Sequence, residues 1–180
     1  VVRVPKDVMQ SVSLMDAPQG AIFLCRLPEE KKPRLTPGTL LLDGIQDPGN
    51  LGTILRTADA LEVPVVLLDG CADAYNPKTV RASMGAVFRT QPLHLTREAA
   101  VAACREAGIP LLATTMSSDA ADLREADLGA SAVIIGSEGQ GICQTLFDAA
   151  EQKIIIPMSP RCESLNAAVA ATIVMWQMKR

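Results

Sequence analysis

The stretch TLLLDGIQDPGNLGTILR, residues 39–56, decides the fold. Its apolar run 39–42 predicts a buried strand, because a strand covered by helices on both faces is apolar along its length. Turn-forming residues follow, and beyond Asn50 the apolar residues recur at helical spacing. Asn50 is the expected N-cap of that helix. A strand that passes through a tight turn into a helix is the repeating unit of a parallel α/β sheet.

The same unit recurs along the rest of the chain. This alternation predicts an α/β fold in which a mostly parallel sheet is covered by helices on both faces. The run 86–95 fits either an extra strand or an extended connection. Further strands are predicted at 63–68, 109–113, 132–135 and 153–156, and helices at about 50–62, 77–84, 97–107, 140–150 and 163–180.

The first 38 residues do not share this alternation. Residues 6–15 predict a short helix and 21–24 a strand, separated by a turn at 16–20, and we interpret 1–25 as the end of a preceding domain. Residues 26–38 hold three prolines and a run of charges, a composition typical of a linker. A solvated surface loop explains the charge run equally well, but the regular alternation begins directly after it, so we expect one α/β domain over 39–180.

Composition limits the possible functions. The chain has 180 residues, 48% of them hydrophobic, and a net charge of -3, which argues against nucleic-acid binding over the whole surface but leaves a local basic patch open. The five cysteines form no CxxC pair, so we expect free thiols, a reducing cytoplasmic location and no metal site. No apolar run approaches the roughly 18 residues of a membrane span.

Three glycine-rich or polar segments follow predicted strands, at 47–56, 136–141 and 156–166. Ligands of open parallel sheets bind at the carboxyl ends of strands, so the three segments predict one site. Taken singly, each also fits an ordinary helix cap or tight turn, and Arg56 also fits a solvated residue paired with Asp59. Gly52 is expected to leave room beside Arg56 for a ligand or a partner chain.

The three segments carry recognisable motifs. Asp-Gly-x-x-Asp-Pro-Gly-Asn-x-Gly-x-x-x-Arg-Thr-Ala, then Gly-Ser-Glu-Gly-x-Gly, then Ile-Pro-Met with Glu-Ser-Leu-Asn-x-x-Val-Ala, resemble the motifs of the SpoU/TrmH-like RNA 2′-O-ribose methyltransferases of the SPOUT superfamily. The stretch 76–86 is similar to that family too, and the resemblance covers about residues 39–180. It implies a homodimer that uses S-adenosyl-L-methionine to methylate a ribose 2′-hydroxyl, with a C-terminal trefoil knot. It also implies that residues 1–25 end an RNA substrate-binding domain.

The resemblance further implies two sets of site residues. The loop after Ile-Pro-Met departs from the family, because it reads Ser-Pro-Arg-Cys over 159–162 where glycine is usual. The catalytic set is Asn50, Arg56, Glu138, Ser164 and Asn166. The cofactor set is Thr114, Gly136, Glu138, Ile156, Met158, Ser164 and Leu165.

The expected substrate is RNA, with ribosomal RNA preferred over transfer RNA because of the apparent upstream domain. Aromatic residues make up only 3% of the chain, so no stacking platform for bases is evident. A guanidinium stays protonated in proteins, so Arg56 is expected to bind a phosphate or stabilise the forming alkoxide. Alternatives are a tRNA ribose methyltransferase, a base methyltransferase of the same superfamily, and a non-catalytic RNA- or nucleotide-binding module. The basic candidates for RNA contact are Lys78, Arg81, Arg89 and Arg161.

Overall fold

A computed structural model of the chain describes residues 1–15, 17–18, 20–28, 35–117, 119–159 and 161–180. It forms two compact units, Val1–Glu30 and Lys31–Arg180. The first contains helix α1, Lys6–Val12, which has no buried residue. The strand predicted at 21–24 is wrong: these residues have no regular structure, and no strand among the described residues of that unit lies beside them as a hydrogen-bonding partner. The predicted linker residues 29–34 and the turn residues Asp16 and Gln19 lie outside the described residues.

A seven-stranded sheet forms the centre of the second unit, in the order β3-β2-β1-β6-β4-β7-β5. Every strand pair in it is parallel, which confirms the predicted fold class. The strands are β1 (Thr39–Asp43), β2 (Val65–Leu67), β3 (Leu93–His94), β4 (Leu111–Thr114), β5 (Ala121–Asp122), β6 (Ala132–Gly136) and β7 (Gln152–Ile155). The α-helices are α2 (Pro48–Leu61), α3 (Pro77–Ala82), α4 (Val87–Thr90), α5 (Arg97–Ala107), α6 (Gln144–Ala149) and α7 (Ala167–Met178), with a 3₁₀ turn at Leu123–Glu125.

Helices cover both faces of the sheet, as predicted. Side chains of a strand alternate between its two faces, so neighbouring residues of β1 enter different cores. Leu40 and Leu42 pack in the core formed with α2 and α7. Leu41 and Ile134 pack in the core formed with α5 and α6. This double burial explains why the central strands are apolar along their length.

Helix α2 begins earlier than predicted, and a different residue caps it. Asp47 is the N-cap, Pro48 follows at the first helical position, and the Asn50 backbone N–H donates to Asp47 Oδ1 at 2.7 Å. The prediction of Asn50 as the cap is therefore wrong. Proline at the first helical position fits this start, because its missing N–H would have no partner there. The Asn50 side chain remains available for another contact.

Gly52 does not leave room for a ligand, and that prediction is also wrong. A Cβ built on Gly52 would lie 2.5 Å from Ala82 Cβ and 2.7 Å from the Thr79 carbonyl oxygen. Glycine is needed here because α2 and α3 approach each other too closely for any side chain.

Several other boundaries differ from the sequence predictions. The run 86–95 forms a helical turn, α4, and then the two-residue strand β3. Helices α6 and α7 begin at Gln144 and Ala167, four residues later than predicted in each case, because loops occupy the intervening residues. Within the described residues, no helix has the length and apolar character needed to cross a bilayer. The trefoil knot stays a prediction.

Candidate active site

The segment after β6 folds into a tight hairpin. The Ser137 N–H donates to the Gly141 carbonyl oxygen at 3.1 Å, and the Gly141 N–H donates back to Ser137 at 3.0 Å. A Cβ on Gly136 would lie 2.3 Å from the Gly141 carbonyl carbon, so only glycine permits this closure. Glu138 lies in this hairpin, ahead of α6, which begins at Gln144. The first glycine of the motif sets the shape of the hairpin.

A cavity of about 610 Å³, which we call the large cavity, lies between this hairpin, the end of β4 and the loop before α7. Met116, Ile142 and Phe147 give part of its wall an apolar character, while Glu138 and Glu163 supply carboxylates. The structure therefore brings together every residue of the predicted cofactor set: Thr114, Gly136, Glu138, Ile156, Met158, Ser164 and Leu165.

Three polar side chains from distant segments meet at the rim of this cavity. Glu138 Oε1 accepts hydrogen bonds from Asn50 Nδ2 at 2.6 Å, Asn166 Nδ2 at 3.0 Å and the Ala167 N–H at 3.1 Å. Asn166 Nδ2 also lies 3.0 Å from Asn50 Oδ1. We call Asn50, Glu138 and Asn166 the amide–carboxylate cluster. It joins the start of α2, the hairpin after β6 and the start of α7.

Asn166 also fixes the start of α7. Its Oδ1 accepts from the Ala168 N–H at 2.9 Å, which makes it the N-cap of the helix. One side chain thus uses its oxygen to cap α7 and its amide nitrogen to bind Glu138. Ser164, two residues earlier, lines the large cavity.

A second cavity of about 380 Å³, the small cavity, lies on the other side of the cluster. It is bounded by the β1–α2 loop and by the hairpin, and Ser137, Glu138 and Ala167 line both cavities. Gln46 and Gln140 are among the residues that line it. The cluster therefore stands at a wall between two cavities.

Arg56 does not join the cluster within one chain. It lies two turns further along α2 from the helix start, in a groove with Thr57, Ile173 and Trp176, which we call the α2–α7 groove. Asp59, the alternative partner of Arg56, instead accepts from Arg89 Nε at 2.9 Å. Arg89 is thus engaged by a carboxylate.

The other basic candidates for RNA contact differ in their surroundings. Lys78 and Arg81 are exposed on α3, and neither forms an ion pair with any residue that the structure describes. Arg161 is exposed beside Ser159, and its neighbour Pro160 lies outside the described residues. Among the four candidates, Lys78 and Arg81 are therefore the two on a described helix with unengaged charges.

A buried ionic network that was not predicted from the sequence lies beneath the hairpin. Asp43, with its side chain 2% exposed, ends β1 and accepts from Arg97 Nε at 2.8 Å. Its other oxygen accepts from the Cys143 N–H at 2.7 Å. The hydrogen bond to Asp43 raises the pKa of the Arg97 guanidinium. The sequence signal that could have identified it is a charged residue, Asp43, at the end of an apolar strand.

The profile of the SpoU rRNA Methylase family matches residues 37–176. This chain belongs to that family. A relative from Bacillus subtilis, 23S rRNA (guanosine(2553)-2'-O)-methyltransferase RlmP, is 34% identical over 175 residues, which cover 97% of this chain and 70% of the relative.

Solved structures agree with the assignment to the SpoU family. An AdoMet-bound rRNA methyltransferase from Sinorhizobium meliloti matches with a TM-score of 0.84 and 31% identity, covering 97% of this chain and 69% of that one. The SpoU methyltransferase AviRb from Streptomyces viridochromogenes, in complex with AdoMet, matches with a TM-score of 0.71 and 31% identity. The match covers 81% of this chain and 61% of that one. The predicted RNA methyltransferase activity and the predicted cofactor, S-adenosylmethionine, are thereby confirmed.

The large cavity of this SpoU family member fits that cofactor. Its volume of about 610 Å³ falls within the range of small-molecule sites, about 300–1,000 Å³. Apolar wall residues such as Phe147 suit an adenine ring, and Glu138 and Glu163 carry charge opposite to the sulfonium. The absence of a Cβ at Gly136 keeps the hairpin backbone closed along the cavity wall. The chain thus offers both the space and the charge that the cofactor requires.

Proposed function

We propose that this SpoU family enzyme methylates a ribose 2′-hydroxyl of ribosomal RNA. The observation that carries the proposal is the position of the amide–carboxylate cluster between the large and small cavities, since Glu138 lines both. The 2′-hydroxyl must attack the methyl group in line with the sulfur, so the acceptor ribose and the cofactor must occupy adjoining spaces that meet at the methyl group. The amide–carboxylate cluster lies where the large and small cavities adjoin.

Bound S-adenosylmethionine supplies an electrophilic methyl group on a positively charged sulfur. The chain's own residues then have to hold the 2′-hydroxyl and restrain its motion. Glu138 Oε1 is occupied by three N–H donors, whereas Oε2 accepts no hydrogen bond from the described residues. We therefore assign Oε2 to accept the hydrogen bond of the ribose 2′-hydroxyl, which orients its lone pair toward the cofactor. The proton finally passes to solvent.

We assign positioning roles to the two asparagines. Asn50 and Asn166 each donate an amide N–H to Glu138 Oε1, and they also contact each other at 3.0 Å. These bonds fix the rotamer of the carboxylate, so that Oε2 faces a constant direction. Ser164, which lines the large cavity, is assigned to cofactor contact.

We also propose that the enzyme is a homodimer. Helix α7 is strongly apolar and carries apolar residues on every side, which is typical of a helix buried on every side. Yet Trp176 is 59% and Val169 49% exposed. A second copy that covers the α2–α7 groove would bury this surface. Arg56 lies in that groove, so we assign it to the partner's site, where it would bind the phosphate of the substrate.

The RNA is proposed to lie along α3. Lys78 and Arg81 project unpaired charges from this helix, which packs directly against α2 at Gly52. Phosphate contacts of this kind supply affinity without reading sequence. Residues 1–25 are proposed to belong to an RNA substrate-binding unit, because Phe23 and Leu24 are exposed there and suit a further contact. We also propose a cytoplasmic location for the enzyme, in keeping with an RNA substrate.

The test is methyl transfer by the full chain from isotopically labelled S-adenosylmethionine to ribosomal RNA and, separately, to transfer RNA. The labelled RNA is digested to nucleosides and analysed by mass spectrometry. We expect a 2′-O-methyl nucleoside from ribosomal RNA and no label with the Glu138→Ala variant. A methylated base, or label in transfer RNA alone, would contradict the proposal.

A further inference from the structure

We propose that the small cavity receives the base of the acceptor nucleotide, and that the side chains of Gln46 and Gln140 read its hydrogen-bonding edge. This inference rests on the proposed function, because it assumes that a ribose lies at the amide–carboxylate cluster. Gln46 comes from the β1–α2 loop and Gln140 from the hairpin after β6. The two glutamines are thus supplied by the two segments that bound the cavity.

The position of the cavity supports this assignment. With the 2′-hydroxyl at Glu138 and the cofactor in the large cavity, the rest of the acceptor nucleotide has to extend away from the cofactor. The small cavity, which shares Glu138 and Ala167 with the large one, is the space adjoining the cluster on that side. Its volume of about 380 Å³ lies within the range of small-molecule sites, about 300–1,000 Å³.

The charge of the wall favours a neutral occupant. Asp47 and Glu138 line the small cavity, and no lysine or arginine does. A phosphate group would therefore be repelled, whereas an uncharged base would not. Sequence-specific RNA recognition commonly takes an unstacked base into such a site and binds its edges.

Gln46 and Gln140 have the chemistry needed to read a base. A carboxamide has one acceptor oxygen and two donor hydrogens, so it can form a paired contact with a base edge. Neither side chain forms a hydrogen bond to another group within the described part of the chain. Both residues are exposed. They are therefore free to bind a ligand, and we find no structural contact that requires them.

The backbones that carry the two glutamines are held in place. The Gln140 N–H donates to Ser137 Oγ at 3.2 Å within the hairpin. Gln46 lies between Ile45, whose carbonyl oxygen accepts from the Ala72 N–H at 2.8 Å, and the cap residue Asp47. Because the backbones are held, only the side-chain torsions of the two glutamines have to be ordered on binding, which limits the entropy lost.

The experiment compares wild-type enzyme with Gln46→Ala, Gln140→Ala and the double variant. The substrate is an in vitro transcript that contains the mapped target, together with three transcripts that carry each other base at the target position. We expect the wild type to prefer one base. We expect the double variant to lose about tenfold or more of kcat/KM on the preferred transcript and most of its preference among the four.

A matched control is Gln152→Ala, an exposed glutamine at the amino end of β7, whereas the small cavity lies beyond the carboxyl ends of β1 and β6. It should retain both kcat/KM and base preference. The KM for S-adenosylmethionine should stay unchanged in all variants, because the two glutamines do not line the large cavity. A general loss of folding would raise that KM as well.

Two failures are distinguishable. If the wild type transfers no methyl group to RNA, the proposed function is wrong. If the wild type methylates RNA but shows no base preference, or if the double variant keeps the wild-type kcat/KM and preference, the inference about the small cavity alone is wrong.

Discussion

Asp43 accepts a hydrogen bond from the backbone N–H of Cys143 at 2.7 Å, between residues 100 positions apart in the chain. The same carboxylate accepts from Arg97 Nε at 2.8 Å, and the Arg97 N–H donates to Asp69 Oδ2 at 2.9 Å. These bonds join the ends of β1 and β2 to the segment that closes the hairpin. We regard Asp43 as a positioning residue for the cofactor cavity.

Replacing Asp43 by asparagine should weaken cofactor binding more than RNA binding. An amide can accept on one side only, so its NH₂ group would face either Arg97 or the Cys143 N–H, both of which are donors. Breaking a buried ion pair costs about 3–5 kcal/mol, less here because Arg97 is partly exposed, so we expect a loss of about 2 kcal/mol in the free energy of unfolding. The KM for S-adenosylmethionine should rise severalfold, as steady-state kinetics would measure.

The control is Thr39→Val, at the other end of the same strand. Thr39 Oγ1 donates to the Thr36 carbonyl oxygen at 2.7 Å, and loss of this bond should cost about 1 kcal/mol. Its KM for S-adenosylmethionine should match the wild type. An equal rise of this KM in both variants would show that Asp43 contributes to stability alone.

Gly136→Ala should abolish the cofactor cavity. The added Cβ would lie 2.3 Å from the Gly141 carbonyl carbon, so the hairpin has to open. We expect affinity for S-adenosylmethionine to fall by about a hundredfold or more, the equivalent of roughly 3 kcal/mol or more, as isothermal titration calorimetry would show. Gly139→Ala in the same hairpin should retain cofactor affinity, since a Cβ there meets nothing within 4 Å. Unchanged binding by the Gly136 variant would contradict this account of the hairpin.

Two inactive variants should complement each other if Arg56 serves the partner's site. In a mixed dimer of Arg56→Ala and Glu138→Ala subunits, one of the two sites then has both an intact Arg56 and an intact Glu138. Random exchange makes half of the dimers mixed, so activity should recover to about a quarter of wild type. Refolding the two proteins together and measuring methyl transfer checks this. No recovery, with exchange verified by mass, would assign Arg56 to its own chain's site or to none.

Cys104 should resist alkylation in the folded enzyme. Burial raises the pKa of its thiol to about 11, so very little reactive thiolate forms at pH 8. Cys25 and Cys162 are exposed and should react first, as peptide mapping after iodoacetamide treatment would show. Because the unfolded thiol ionises at lower pH than the folded one, this residue's contribution to stability should decline as the pH rises from 9.0 to about 11. Rapid native labelling of Cys104 would contradict its burial.

The positions of the central strands β1 and β6 were predicted well from the sequence, because both strands are buried on both faces and their inner residues are therefore apolar. It misplaced the start of α2, because Asp47 and Asn50 are both good cap residues and only the position of Pro48 separates them. The role of Gly52 was misinterpreted because glycine is required there by the close contact between α2 and α3. No local sequence pattern reveals that contact.

The cofactor residues of the site could be predicted from the sequence, whereas the Asp43–Cys143 hydrogen bond and the position of Arg56 could not. Residues of the cofactor set follow strand ends, and the carboxyl ends of parallel strands meet at one edge, so their convergence follows from the fold. The bond between Asp43 and Cys143 depends on tertiary geometry that spacing does not encode. The position of Arg56 depends on which face of α2 forms the α2–α7 groove. The residue types of α2 alone do not predict that face.

The amide–carboxylate cluster combines Asn50 at the start of α2 with Asn166 at the start of α7, 116 positions later. During synthesis on the ribosome, Asn50 and Glu138 are made well before their third partner, so the nascent protein has no competent centre until α7 has emerged. A partly made chain can therefore meet RNA without modifying it. In a translation reaction, the appearance of methylation activity would report that the amide–carboxylate cluster has formed. The time between synthesis of α7 and the onset of activity would measure how long this step takes.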